Sequence, residues 1–160
     1  MEDLSHTIDK YDNALNRCES LFKNKTADYG TAWRILRTSS LTDQIFIKAN
    51  RIRTIQEVEV AKVDEGITPE FIGIVNYSLM ALVQLELPSD YTLDLPAEEA
   101  NERFQHAAKK TRDLMLNKNH DYGEAWRDMR VSSLTDLILM KLLRVKQIED
   151  NQGKTIVSEG

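Results

Sequence analysis

Leu4, Ile8, Tyr11, Leu15, Cys18 and Phe22 recur at steps of three or four residues, the stripe of an amphipathic helix that runs to about Lys23. The polar stretch from Lys25 then closes on Asp28-Tyr29-Gly30, which predicts a connection ending in a tight turn. A short helical turn is expected over Trp33 to Arg37. Ser40 and Asp43 stand three apart like an N-cap hydroxyl and its acidic partner, and Ile45, Ala49, Ile52 and Ile55 follow on one face, so a capped helix is predicted there. Thr68 and Pro69 read as the N-cap and first residue of an apolar helix carrying Phe71, Val75, Leu79 and Leu82. Pro88 to Pro96 is a linker, and residues 97–116 open another amphipathic helix. No segment of useful length alternates apolar with polar residues, so the fold class is all-α.

The chain repeats itself. The block from Asn24 returns from Asn117 without a gap, at an offset of 93 residues. Asp28-Tyr29-Gly30 matches Asp121-Tyr122-Gly123, Ala32-Trp33-Arg34 matches Ala125-Trp126-Arg127, and Ser39 to Asp43 matches Ser132 to Asp136. Ser133 and Asp136 therefore predict the same capped helix start. The helices preceding the two blocks share little identity, so the matching block is held more tightly than its surroundings. A helical bundle of two tandem repeats is expected, 1–87 and 97–160 joined by linker 88–96 and packed as one compact unit. The second repeat lacks a counterpart of the apolar helix after Thr68. It is expected to be a truncated gene product, or a duplicated fold that never needed that helix.

Composition narrows the partners. With 41% hydrophobic residues in 18.4 kDa the chain can build a real core, and its formal charge of -5 gives no global attraction to nucleic acid or anionic membrane. Nucleic acid is possible but not favoured, no membrane partner is expected, and a phosphate-bearing small molecule would need a local basic cluster. Cys18, the single cysteine, excludes an intramolecular disulfide and is expected to be buried. The acidic, polar start and the lack of a long apolar run point to the cytoplasm.

Five basic positions recur in both copies: Lys25/Lys118, Arg34/Arg127, Arg37/Arg130, Lys48/Lys141 and Arg51/Arg144. Arg34 and Arg37, and likewise Lys48 and Arg51, stand three apart, so each pair can share a helix face and grip one phosphate, beside the positive end of the helix after Ser40 or Ser133. The alternative is that they pair with nearby carboxylates. Asp28/Asp121 and Asp43/Asp136 are candidate magnesium ligands, each with an easy structural use in a turn or cap. Tyr29, Trp33, Tyr122 and Trp126 could stack on a base, or serve as core. His6, His106 and His120 show no metal-ligand spacing, and no nucleophile with its base, Walker loop or dinucleotide fingerprint is present.

The string K-x-x-D-Y-G-x-A-W-R, followed by S-S-L-T-D, K-x-x-R and N-Y-S-L-M in an apolar helix, resembles the nucleotide modification associated family, formerly described as a domain of unknown function. The resemblance covers most of Lys23 to Leu85 and recurs from Leu116 to Asp150. It implies a role in handling nucleotides or modified bases. The helical layout is also similar to MazG-like nucleoside triphosphate pyrophosphohydrolases, which use helix-borne carboxylates and magnesium, although no Glu-x-x-Glu pair here is followed at the right distance by a Glu-x-x-Asp pair. The expected function is nucleotide binding or processing, and any turnover would be magnesium-dependent attack of water on a phosphoanhydride. The alternative is a non-catalytic helical assembly module. The open apolar surface of an unfinished repeat makes a homo-oligomer the expected state.

Overall fold

The computed structural model describes residues 4–58 and 66–157. The chain is all-α there: α1 (Leu4–Tyr29), α2 (Thr38–Val58), α3 (Thr68–Glu86), α4 (Ala97–Tyr122) and α5 (Val131–Asp150), with 3₁₀ turns at Ala32–Ile35 and Ala125–Asp128. The predicted connection between α2 and α3 lies largely outside the described residues. No described helix is long and apolar enough to cross a membrane.

The helices form three layers. α2 packs on α5, α1 packs on α4, and α3 lies between these pairs, touching α1, α2 and α4. Burial follows the predicted stripe in α2 and at Cys18 and Phe22 of α1, but in α3 Val75 and Leu82 are exposed while Ile74, Leu79, Met80 and Val83 are buried. Phe22 and Phe104 stack at 4.1 Å between ring centroids, with Leu41, Leu79, Met80 and Val83 closing over them. A second cluster of Ile45, Ala49, Ile52, Ile74, Leu139 and Leu142 joins α2, α3 and α5. Ala49 is fully buried, and its small side chain lets neighbouring helices approach closely. Cys18 is buried as expected, and burial pushes its thiol pKa up.

Several local expectations are corrected. α1 does not stop near Lys23 but continues to Tyr29, because Thr26 is buried and its hydroxyl donates back to the Phe22 carbonyl at 2.8 Å. Gly30 then ends the helix with φ +65°, as Gly123 ends α4 with φ +58°. The capping boxes do not form: α2 starts at Thr38 and α5 at Val131, so Ser40 and Ser133 lie inside the first turns. Thr42 and Thr135 donate to the Thr38 and Val131 carbonyls, and Asp43 and Asp136 are drawn to cations on the opposite helix. Ile67 is the N-cap of α3, which shifts Thr68 into the helix.

The contacts between the repeats obey an internal twofold relation. Thr42 donates to Glu149 at 3.3 Å, and Gln56 donates to Thr135 at 3.1 Å. At the repeat offset Thr42 becomes Thr135 and Gln56 becomes Glu149, so one contact is the image of the other. Lys146–Asp43 at 3.5 Å and Arg53–Asp136 at 3.6 Å are related in the same way. Between α1 and α4, Arg112 grips Asp12 at 2.7 and 3.0 Å, and Gln105 donates to Glu19 at 2.6 Å; these too exchange under the offset. Such reciprocity is the signature of an isologous interface fused into one chain.

Candidate functional site

A cavity of about 370 Å³ opens between the end of α1, the first 3₁₀ turn, α2 and α3. Lys25, Tyr29 and Trp33, each repeated in the second copy, line it together with Lys48. α3 contributes Glu70, Gly73, Asn76 and Tyr77. Lys48 lies 3.6 Å from the Glu70 carboxylate and 5.8 Å from the centroid of the Tyr77 ring, and Arg51 bonds the other Glu70 oxygen. Lys48 and Arg51 therefore do share a face, as their spacing predicts, and a carboxylate from α3 already meets them. Gly73 makes this possible: a Cβ there would stand 2.6 Å from Lys48 Cδ and 2.7 Å from Cε, so the lysine stem occupies the space a side chain would need.

Two buried polar atoms of the lining residues have no hydrogen-bond partner among the described residues. Asn76 is 6% exposed, and its amide nitrogen donates to the Cys18 carbonyl at 3.0 Å, which fixes the orientation of the group and leaves Oδ1 without a donor. Trp33 Nε1 is buried without an acceptor. The second repeat shows the contrast. Trp126 Nε1 donates at 2.8 Å to Asn119, which stands where the first repeat has Thr26. A buried donor or acceptor left unpaired costs about 1–3 kcal/mol, and both atoms are closed off from solvent, so the unmatched pair is a local cost within the cavity wall.

Other candidates lie elsewhere. Arg34 does not join Arg37 at an anion: it is 7% exposed and turned inward, bonded to Gln84 Oε1 and to the Tyr91 and Thr92 carbonyls, the latter at 3.3 and 3.1 Å. Arg37 is exposed. The reason is the linker, whose bent backbone presents carbonyls that only a long cation can reach. Arg34→Ala is expected to cost about 3 kcal/mol in chemical denaturation, because it strands those carbonyls. Arg37→Ala should stay within about 0.5 kcal/mol.

Tyr29 is 75% exposed at the cavity mouth, and Trp33 packs 6.2 Å from Phe22 while still facing the cavity. Asp28 is exposed, and Asp43 and Asp136 are used in the α2–α5 ion pairs, so none of the three lines the cavity. Among the described residues no three acidic, histidine or cysteine side chains gather into a metal-binding group. The donor set does not fit a protein-held magnesium ion. Glu70 is the single carboxylate among the described lining residues, and it is engaged twice.

In the second repeat Lys118, Asp121, Tyr122, Trp126, Arg130, Lys141 and Arg144 are all exposed, and among the described residues no counterpart of α3 builds a cavity over them. Arg127 stacks 4.8 Å from Trp126 and binds Glu124 at 2.7 Å. Glu124 accepts hydrogen bonds from Thr7, Arg127 and Asn119, which hold its carboxyl at about 2, well below the ordinary 4.5. Its folded pKa is the lower one, so its contribution to stability is complete above pH 4.5 and is lost as pH falls from there toward 2. Glu124→Gln should therefore lower Tm at neutral pH and flatten the acid limb of a Tm-against-pH curve.

The model of the nucleotide modification associated domain 1 family matches residues 25–85 and again residues 118–160, together more than half of the chain. The chain belongs to that family. Comparison with curated proteins and with solved structures gives no match. The first match runs from Lys25 through α3 and so spans the cavity of this nucleotide modification associated domain 1 protein, whereas the second stops short of any α3 counterpart. Glu70, Gly73 and Asn76 escape a comparison of the two copies for that reason. The signal that exposes them is chemical: a carboxylate and an amide in a helix otherwise rich in Leu, Ile, Val and Met.

Proposed function

We propose that the cavity of the first repeat binds a nucleotide or a nucleotide-derived small molecule. The observation that carries this is the meeting of two repeat-marked lysines with the rings of Trp33 and Tyr77 over an apolar floor. Lys25 and Lys48 supply charge for a phosphate. Phe22 and Met80 form part of the floor, and the Trp33 and Tyr77 rings supply faces for a base. The family's association with nucleotide modification supports this assignment.

With its one lining carboxylate already held by Lys48 and Arg51, this residue set supplies recognition rather than hydrolysis. Magnesium, where it enters, comes with the phosphates of the ligand. A thermal-shift screen against nucleoside mono-, di- and triphosphates, each with and without magnesium, tests the proposal, because a ligand that binds only the folded state raises Tm. A rise with a nucleotide, weakened at least tenfold in affinity by Lys25→Ala or Lys48→Ala, is the expected result. No rise with any nucleotide, in protein shown to be folded, would move the function to the helical surfaces and an assembly role.

A further inference from the structure

Among the described residues the middle layer holds α3 alone. α3 fills the space between α2 and the α1–α4 pair, but beside it, below α5, an apolar groove of about 580 Å³ stays open. Tyr11 and Leu15 of α1, Leu142 and Val145 of α5, and Leu82 and Leu85 of α3 are among the groups that wall it. The internal twofold says what shape belongs there. In the first repeat α3 rests on Phe22, Leu41 and Phe104; the offset turns these into Met115, Leu134 and, from α4 back to α1, Tyr11. A helix related to α3 by the twofold would lie in the groove against Tyr11, with Val75, Leu82 and Leu85 of α3 along its side.

Charge completes the match. In the first repeat Lys48 and Arg51 receive Glu70 from the first turn of α3. Lys141 occupies the position on α5 equivalent to Lys48, and it is exposed. We propose that this groove is a docking site for an amphipathic helix of the α3 kind, with a Leu/Ile/Val/Met stripe facing Tyr11, Leu15, Leu142 and Val145 and a carboxylate in its first turn meeting Lys141. The mode is helix in groove, with anchors at helical spacing. A second copy of this chain is the poorer occupant, since its own α3 is buried between its other layers.

The test uses the whole chain and a labelled peptide spanning residues 67–87 with a charged solubility tag, followed by fluorescence anisotropy and Tm. Saturable binding that raises Tm is expected. Lys141→Glu should weaken that binding at least tenfold, and a peptide carrying Glu70→Lys should restore it to the variant. No binding, equal binding of a scrambled peptide, or indifference to the charge exchange would overturn the proposal. A dimer by light scattering that the peptide fails to dissociate would also overturn it, in favour of a second copy.

Discussion

Phe104→Ala is expected to destabilise the chain by about 3–5 kcal/mol, a large share of the roughly 5–15 kcal/mol that holds a domain of this size. Phe104 is 1% exposed and stacks on Phe22, which is 2% exposed, so the ring is the contact through which α4 of the second repeat reaches the core of the first. Truncation removes the buried ring and opens a cavity between helices that are already tied across their middle by Asp12–Arg112 and Glu19–Gln105, which limits collapse. Urea denaturation measures the cost. A loss below about 1 kcal/mol would mean that the repeats are joined chiefly by the α2–α5 contacts instead.

Gly73→Ala is expected to separate function from stability. The residue sits within α3, where alanine is the better helix former by about 0.5–1 kcal/mol. Its Cβ would collide with the Lys48 stem, which is flexible and can swing outward, at the expense of a partly exposed ion pair with Glu70. Tm should stay level or rise slightly, while nucleotide affinity falls at least tenfold because the ammonium leaves the cavity. Calorimetric titration beside a melting curve reads both, and unchanged affinity would show that Lys48 takes no part in binding.

The architecture is legible in the sequence to the extent that apolar spacing decides it. The stripe from Leu4 to Phe22 places α1 correctly because burial follows a period of 3.6 residues. Its last turn is hidden by polar residues that remain helical on a solvent-facing surface. The capping boxes mislead because a tertiary contact outcompetes a local one: Asp43 finds Lys146, and Asp136 finds Arg53. The repeat marks Lys25, Tyr29, Trp33 and Lys48, which line the cavity, yet it marks Arg34 equally, which turns inward to Gln84 and the linker carbonyls. Identity between copies records constraint without naming its cause. Glu70, Gly73 and Asn76 need the placement of α3 before their chemistry is visible, since their partners lie 19, 25 and 58 residues away at Arg51, Lys48 and Cys18.

The most direct measurement of the nucleotide site uses the chain's two tryptophans. Trp126→Phe leaves Trp33 as the single reporter in the cavity wall, and Trp33→Phe leaves Trp126 on the surface of the second repeat. Titration of each variant with the nucleotide that gives the largest thermal shift should change the emission of Trp33 saturably, at the concentration that shifts Tm, and leave Trp126 unchanged. A saturable response from Trp126 with none from Trp33 would place the ligand outside the cavity and contradict the assignment.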